Sequence, residues 1–302
     1  MTVFVLSVMF PAFAAQVDRV PEDFPTIQEA VNKGDAPVIA VGPGDWKGAV
    51  VDRPVALIGH QANIISGPAV RGARAGFTVT GRADGAEIRG FSFQCGGPTL
   101  DLGVYSSTRQ LGRADHVVVA ENVFSQCVQG VTNRGRPHAE CKPSRLDGGS
   151  LWLIEDNHFE GFATKTDAGR DGGGLGIYIR NAEAADVIGN TFTGWIQDNA
   201  SFSTSGVSLG GCVDCTVAAN AFAVQGGKYY WTAVSNLGFY SAEAAASSGL
   251  IVADNDASGD TAPHMGVNYR SFDSFDSAFA DNIGVAMVDH THCGDDALEL
   301  IE

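Results

Sequence analysis

Short apolar runs separated by polar turns fill most of the chain, and one of these runs returns at a regular interval. In each copy an asparagine closes the apolar run, and the copies are centred on Asn122, Asn157, Asn190, Asn220, Asn255 and Asn282. Gly59 and Gly90 take the equivalent position upstream, and successive copies lie 27 to 35 residues apart. A period of this length predicts a repeat architecture built from short strands, because no unit has the long apolar periodicity of a helix.

A second strand pattern precedes the asparagine motif in most units, and it opens with a glycine at Gly103, Gly130, Gly176, Gly206 and Gly266. Each unit therefore contains three short strands, which cannot bury their apolar faces unless neighbouring units stack on one another. The pattern predicts an all-β fold, a single-stranded parallel β-helix solenoid of about eight coils.

The repeated asparagine has a predicted structural role. It falls where the chain bends sharply between two strands, and asparagine tolerates the left-handed backbone conformation better than most residues. Stacked coils lie about 4.8 Å apart, so successive asparagine amides can hydrogen-bond to one another as a ladder. The phenylalanine two positions later, at Phe124, Phe159, Phe192 and Phe222, is expected to stack in the core. We interpret these asparagines as scaffold residues and not as catalytic ones.

The N-terminal region carries two distinct patterns. Residues 1–14 form an apolar run that ends in small residues at Ala12 and Ala14, which is typical of a signal peptide; the alternative is a buried first strand. In the segment FPTIQEAVNKG, Thr26 and Glu29 form a capping-box pattern and Gly34 is a stop signal, which predicts a helix that covers the first coil. The predicted organisation is a leader over 1–14 and one β-helix domain over 15–302.

Composition and charge narrow the function classes. The 302 residues carry a formal charge of −16, which disfavours general nucleic-acid binding because the phosphate backbone would be repelled. After the N-terminal run, no apolar segment approaches the roughly 18 residues of a membrane span. We predict a secreted or periplasmic protein without a nucleic-acid partner or a membrane span, and the oligomeric state stays open.

The chain has six cysteines, which fits an oxidising compartment. Cys95 and Cys127 take the same position in neighbouring repeats, so we predict that they form a disulfide or stack. Cys212 and Cys215 form a lone Cys-x-x-Cys motif, for which a local structural disulfide is favoured over a zinc site because a second such pair is missing. The pairing of the full set cannot be read from sequence alone.

The segment FPTIQEAVNKGDAPVIAVGPGDWKGAVVDRPVALIG, at residues 24–59, resembles the opening of right-handed parallel β-helix proteins of the pectin-lyase-like superfamily, particularly NosD-like secreted proteins with PbH1 repeats. The resemblance implies a right-handed coil. Several members are pectinesterases or pectate lyases, but the motifs of those enzymes are missing from this sequence. Pectate lyases also use calcium-binding carboxylates, so calcium is the candidate cofactor that the resemblance implies, and the cofactor is otherwise unknown.

The C-terminal segment contains two weaker patterns. The motif CGDDALELI resembles the Gly-Asp-Asp motif of polygalacturonases at Asp295 and Asp296, although the motifs that should follow it are missing. His290, His292 and Cys293 have a spacing that metal ligands can use. We favour a surface turn in both cases and predict no metal site there.

Positive charge is concentrated in two insertions of this acidic chain. The first, RGRPHAECKPSR, carries Arg134, Arg136, Lys142 and Arg145. The second, TKTDAGRDGGG at residues 164–174, carries Lys165, Asp167, Arg170 and Asp171. Because long loops on a compact scaffold often hold functional residues, we expect these side chains to bind substrate beside the coil.

The strand motif GIYIRN belongs to the unit that follows the first insertion. Strand alternation sends its isoleucines inward and Tyr178 and Arg180 to solvent, and stacking places Arg180 next to Arg134 of the preceding coil. We hypothesise that the two arginines bind a substrate carboxylate and that Tyr178 transfers a proton, with Lys165 as a further catalytic residue. The predicted function is engagement of an acidic polysaccharide, with or without cleavage by a lyase or hydrolase reaction. The alternatives are a non-catalytic binding, assembly or surface protein, and a purely structural Arg–Asp network.

Overall fold

The computed structural model describes residues 16–70, 72–135, 147–163, 174–196, 204–226, 231–236, 247–260, 268–271, 274–275, 278–283 and 286–289. The helices in these ranges are α1 (Ile27–Lys33) and α2 (Thr108–Leu111). The strands are β1 (Val17–Val20), β2 (Val38–Val41), β3 (Gly44–Lys47), β4 (Ala49–Val51), β5 (Ala56–Ser66), β6 (Ala69–Val70), β7 (Ala73–Val79), β8 (Glu87–Gln94), β9 (Leu102–Ser107), β10 (Val118–Ala120), β11 (Val123–Cys127), β12 (Gln129–Arg134), β13 (Leu153–Glu155), β14 (His158–Phe162), β15 (Leu175–Arg180), β16 (Asp186–Ile188), β17 (Thr191–Ile196), β18 (Thr204–Gly210), β19 (Thr216–Ala218), β20 (Ala221–Gly226), β21 (Trp231–Asn236), β22 (Ser247–Ser248), β23 (Ile251–Ala253), β24 (Asn268–Ser271), β25 (Ser274–Phe275), β26 (Ala278–Ala280) and β27 (Ala286–Asp289).

These strands form two long sheets. The first sheet follows the order β20-β17-β14-β11-β8-β10-β13-β16-β19-β23-β26, with β1, β2, β3 and β5 also part of it. The second sheet follows the order β27-β24-β21-β18-β15-β12-β9-β7-β4. Apart from the short antiparallel pair of β6 with β7, the described strands pair in parallel, as β12 does with β15 and β15 with β18 in successive repeats. The chain therefore coils as a parallel β-helix, which confirms the predicted fold class; the number of coils stays a prediction.

Phenylalanine rings stack through the core at successive repeats. The ring centroids of Phe93, Phe124, Phe159, Phe192 and Phe222 lie 4.6 to 4.9 Å from their neighbours, and the ring planes differ by 6° to 11°. All five rings are buried, at 0 to 2% exposure. The predicted aromatic stack is confirmed, and it extends one repeat upstream of the asparagine-centred copies.

A column of glycines in the second sheet lies against this phenylalanine stack, formed by Gly76, Gly103, Gly130, Gly176 and Gly206. A Cβ atom on Gly176 would lie 2.5 Å from Cε1 of Phe192 and 2.6 Å from the Gly206 carbonyl oxygen. Because neither contact leaves room for a methyl group, glycine at this position is a packing requirement. The glycine that opens the second strand pattern is thereby explained at Gly103, Gly130, Gly176 and Gly206, whereas Gly266 lies outside the described residues.

The repeated asparagines form the predicted ladder. From Asn122 to Asn282, the Nδ2 atom of each asparagine donates to the Oδ1 atom of the next one over 2.9 to 3.1 Å. Each amide also donates to a backbone carbonyl of the preceding repeat, as Asn190 Nδ2 does to the Ile154 oxygen at 2.9 Å. The ladder thus provides hydrogen-bond partners for the polar groups of a buried turn, which supports its interpretation as a scaffold.

The left-handed residue of the turn is not the asparagine, so the predicted backbone conformation is wrong by one position. The φ angle is 52° to 68° at the preceding residue in each repeat, namely Glu121, Asp156, Gly189, Ala219, Asp254 and Asp281. Gly90, with a φ angle of 76°, occupies this same position, because Arg89 pairs with Ala120. The offset has a physical reason: the asparagine side chain points inward to reach the amides of neighbouring coils, and the bend is made one residue earlier.

Helix α1 lies where the capping pattern predicts a helix. The Thr26 side-chain oxygen accepts a hydrogen bond from the Glu29 N–H at 3.1 Å, and the Gly34 N–H donates to the Ala30 oxygen at 2.9 Å. Ile27, Ala30 and Val31 are buried. The helix contacts β1, β2 and β4. Its role as the cover of the first coil stays a prediction.

Cys95 and Cys127 form a disulfide with a Cα–Cα distance of 4.7 Å, which confirms the pairing predicted from their equivalent positions. The predicted bridge between Cys212 and Cys215 is wrong, because both are free thiols buried in the core. A hydrogen bond with the Cys212 side chain and burial raise the pKa of Cys215 well above its usual range, so Cys215 is held as a thiol. Cys141 and Cys293 lie outside the described residues.

No helix of the described ranges is long and apolar enough to cross a membrane. The predicted leader at residues 1–14 lies outside the described residues, as do the C-terminal His290, His292, Cys293, Asp295 and Asp296. The leader and the C-terminal turn therefore stay predictions.

Candidate functional site

A line of hydroxyl side chains runs along the outer face of the second sheet. Thr78, Tyr105, Thr132, Tyr178, Ser208 and Ser235 pair in this order on successive strands from β7 to β21. They share this face because their neighbours in each strand point into the core, as Ile177 and Ile179 do on either side of Tyr178. We call these six residues the hydroxyl column.

The hydroxyl column is largely shielded from solvent. Tyr178 is half-buried, and the other five members are 0 to 3% exposed. Arg180, on the same face, is 1% exposed, so its predicted exposure to solvent is wrong. Alternation in a strand fixes the side of the sheet on which a residue lies, but whether that side reaches water depends on what packs against the sheet.

Arg134 and Arg180 are paired in register on the neighbouring strands β12 and β15, as the repeat alignment predicts. Arg134 is half-buried, so it is the more accessible of the two. Both residues interact with other groups of the chain. Two guanidinium groups on adjacent strands create a local positive potential on an acidic protein, and such a potential favours an anionic group nearby.

The first basic insertion begins and ends beside Arg180. The Gly135 N–H donates to the Arg180 carbonyl at 2.9 Å, and the Gly148 N–H donates to the following carbonyl at 2.8 Å. The Asn133 side chain fixes the backbone that follows the insertion, because its amide donates to the Gly149 oxygen at 2.6 Å and accepts from the Gly149 N–H at 2.9 Å. The base of this insertion is thus fixed at the C-terminal end of β15.

The second insertion has its base at the other end of these strands. The Ala163 N–H donates to the Cys127 carbonyl at 3.3 Å, and the Leu175 N–H donates to the Val128 carbonyl at 2.9 Å, just before β12 begins. The bases of the two insertions therefore lie at opposite ends of the strands of the second sheet. Their predicted substrate-binding or catalytic residues Arg136, Lys142, Arg145, Lys165, Asp167, Arg170 and Asp171 lie outside the described residues.

Strands β18 and β21 of the second sheet are likewise preceded along the chain by segments outside the described residues, at 197–203 and 227–230. Short turns join the strands of the first sheet, as between β10 and β11. Binding residues are concentrated in loops on a rigid scaffold, so the outer face of the second sheet is the candidate binding surface.

Sequence reasoning missed most of the hydroxyl column, namely Thr78, Tyr105, Ser208 and Ser235. The signal was present, because each of these residues takes the same repeat position as Tyr178. Each hydroxyl looks ordinary on its own, and only the register shows that they are aligned.

Among the residues that the structure describes, no group of three or more His, Cys, Asp or Glu side chains could hold a metal ion. Calcium therefore stays the candidate implied by the sequence resemblance.

No protein-family model and no curated protein matches the chain at the sequence level. Solved structures do match it, and one is the surface protein and adhesin PfbA of Streptococcus pneumoniae, with a TM-score of 0.50 and 11% identity over 91% of this chain and 98% of that one. A pectin methylesterase from carrot matches with a TM-score of 0.49 and 10% identity, over 91% of this chain and 88% of that one. An alginate lyase from Paenibacillus has a TM-score of 0.45 and 15% identity, over 87% and 95% of the two chains.

Identities this low bear on the fold and not on the activity. The agreement in fold extends over almost the full length of PfbA, and it accords with the parallel pairing of both long sheets. By its fold, the chain is a parallel β-helix protein.

Proposed function

We propose that the protein engages an acidic polysaccharide along the outer face of the second sheet. The observation that carries this proposal is the in-register pair Arg134 and Arg180, which lies two residues along the strands from the middle of the hydroxyl column, with a basic insertion based beside it. Two arginines, the hydroxyl column and the base of a basic insertion thus lie on one face of a protein whose formal charge is −16.

The spacing of the coils suits an extended polymer. Successive strands lie about 4.8 Å apart, which is nearly the length of one sugar residue, so groups on successive coils of this face can contact successive sugars. Within the hydroxyl column, the half-buried Tyr178 is the accessible member. Arg134 is the half-buried arginine and takes the role of contact with a substrate carboxylate, since a guanidinium can bind a carboxylate through two parallel hydrogen bonds. Arg180 is buried beneath the surface and takes a positioning role, in which its charge adds to the potential at Arg134.

The two insertions carry further charged residues. Arg136, Lys142 and Arg145 of the first insertion and Lys165 and Arg170 of the second are proposed to bind further carboxylates, with Asp167 and Asp171 as their internal anionic partners. The described bases of the two insertions lie at opposite strand ends of this face.

Cleavage is a second step that this arrangement supports chemically. In a lyase reaction, a base removes the proton from the carbon next to the uronate carboxylate while cations neutralise the charge that develops. A carbon–carbon double bond then forms as the bond to the glycosidic oxygen breaks, and that oxygen takes up a proton. Tyr178 is the half-buried hydroxyl of the column and lies two residues from Arg180 on the same side of β15, so we assign it the proton transfer. A binding or assembly protein without turnover is the alternative, and product formation separates the two.

The disulfide between Cys95 and Cys127 supports a place outside the reducing cytosol. We therefore propose that the protein works in the periplasm or in the extracellular space. A polysaccharide of the cell surface or its surroundings is then the accessible partner.

Replacing Arg134 by alanine tests the proposed contact. We expect polygalacturonate or alginate to bind about tenfold more weakly, which corresponds to roughly 1.4 kcal/mol and is within the range of one charge-assisted hydrogen-bonded contact. The unfolding midpoint should stay close to that of the parent. Calorimetric titration measures the affinity, and Lys33→Ala is the matched control because Lys33 is a cation with a 65% exposed side chain on helix α1. Equal affinities of the Arg134→Ala and Lys33→Ala proteins would remove Arg134 from the site.

A further inference from the structure

A second surface feature lies on the outer side of the first sheet, away from the hydroxyl column. It is a groove of about 360 Å³ that crosses four neighbouring strands, β8, β11, β14 and β17. Its polar lining comes from Gln94, Ser125, Gln126 and Glu160, and one end is formed by Trp195. We call it the Trp195 groove.

Trp195 reaches the surface because of an irregularity in strand β17. Glu160 pairs with Thr193 and Phe162 pairs with Ile196, so β17 contains one more residue than β14 between these two pairs. The extra residue forms a bulge, in which Gly194 has a φ angle of 86°. A bulge re-aims the side chain that follows it, and the Trp195 indole is 67% exposed as a result.

The exposed indole has a defined seat. A Cβ atom on Gly226 of the adjacent strand would lie 2.5 Å from Cε3 of Trp195, so the indole packs closely over the backbone of a glycine. Gly226 also has a φ angle of 77°, which favours glycine at this position. The ring is therefore held against the coil on one side while most of its surface remains open to solvent, which pre-organises it as a flat platform.

The polar side chains of the groove are arranged along the helix axis. Gln94, Ser125 and Glu160 are register partners on three successive strands. At about 4.8 Å per strand, the distance from the Gln94 strand to the Trp195 strand is roughly 14 Å, the length of about three sugar residues. Gln126 also has a seat over a glycine, because a Cβ atom on Gly96 would lie 2.6 Å from its Oε1 atom.

We propose that the Trp195 groove is a binding site for a neutral oligosaccharide. An indole face packs against the apolar C–H face of a sugar ring, while amide and hydroxyl side chains bind the sugar hydroxyls. The charged group in the lining is Glu160, a carboxylate that accepts hydrogen bonds from hydroxyls and repels anionic sugars, and the lining holds no Lys or Arg. The site differs from the proposed acidic-glycan face both in place and in ligand class, and it does not rest on that proposal.

The test uses the full-length protein and a panel of neutral hexasaccharides, namely β-1,4-glucan, β-1,3-glucan, xylan and mannan fragments. Calorimetric titration should find at least one that binds the parent protein. Trp195→Ala should weaken that binding at least about tenfold, and Trp195→Phe, which retains a ring, should lie between the two. The chain has four tryptophans, and Trp152 and Trp231 are 1% exposed, so fluorescence quenching by iodide reports mainly on exposed indoles such as Trp195. Bound sugar should protect against this quenching.

Two control variants make the outcome specific. Ile251→Ala removes another apolar side chain, 48% exposed, from the outer side of the first sheet and should leave binding unchanged. Arg134→Ala should also leave neutral-sugar binding unchanged, which separates this site from the acidic-glycan site. Failure of the whole panel to bind, or equal binding by Trp195→Ala and the parent, would overturn the proposal. A Trp195-dependent interaction with a protein alone would overturn it as well.

Discussion

Replacement of Asn190 by alanine should destabilise the coil by about 3 kcal/mol or more, because several buried polar groups lose their partners at once. The Asn190 Oδ1 atom accepts from the backbone N–H and the side-chain Nδ2 of Asn157, each at 3.0 Å. Its Nδ2 atom donates to the Ile154 oxygen at 2.9 Å and to the Asn220 Oδ1 atom at 3.1 Å. Asn190 is 0% exposed, so water cannot replace these bonds without opening the turn.

Urea denaturation followed by circular dichroism measures this loss. Asn63→Ala is the matched control, since the Asn63 amide makes an exposed hydrogen bond to Asp45 at 2.9 Å outside the ladder. We expect the control to change the free energy of unfolding by less than about 1 kcal/mol. Similar losses for the two variants would show that the ladder does not stabilise the coil.

A second large loss of stability is expected for Gly176→Ala, which is the smallest possible addition to the glycine column. The new methyl group would lie 2.5 Å from Cε1 of Phe192, a ring that is itself stacked at 4.7 Å on Phe159 and at 4.6 Å on Phe222. Because the ring is stacked on both faces and the Gly206 carbonyl is only 2.6 Å from the same methyl position, relief requires the strands to move apart. Overpacking of this kind costs about 1 to 3 kcal/mol and occasionally more.

Gly97→Ala is the control for this substitution. A Cβ atom on Gly97 meets no heavy atom within 4 Å, and its backbone does not have a positive φ angle. We expect the variant to unfold at the same urea concentration as the parent, or slightly higher, because alanine lowers the entropy of the unfolded chain. If Gly176→Ala unfolds at the same urea concentration as Gly97→Ala, the phenylalanine stack tolerates the extra methyl group and the packing requirement is wrong.

The scaffold could be predicted from sequence because each of its devices is repeated. A single asparagine is weak evidence, but a series of asparagines at a regular period, several with a phenylalanine two positions later, specifies the register in which the repeats stack. That register correctly predicts that Cys95 lies beside Cys127 and Arg134 beside Arg180. The error of one position in the left-handed residue has the same origin. Sequence similarity marks the repeated asparagine, whereas the residue before it varies between Glu, Asp, Gly and Ala.

The candidate site was predicted only in part, because the exposure of a side chain depends on its immediate surroundings. Arg180 was placed on the correct side of β15, but strand alternation carries no information about what covers that side, and the side chain is 1% exposed. Trp195 could not be assigned to the surface, because a single extra residue in β17 breaks the period on which the prediction depends. The chain thus deviates from the repeat at Trp195, whereas at Arg180 it keeps the repeat register.

The most direct test of the proposed function is a titration of the purified parent protein with polygalacturonate and with alginate, at salt concentrations from about 0.05 to about 0.5 M, with reducing ends and unsaturated-sugar absorbance followed in parallel. The proposal predicts binding to at least one uronate polymer that weakens as salt is raised, because the contact is made by arginine and lysine side chains on an otherwise acidic protein. Product formation would assign catalysis in addition, and binding without product would assign a binding protein. Absence of binding to either polymer at the lowest salt concentration would contradict the proposed function.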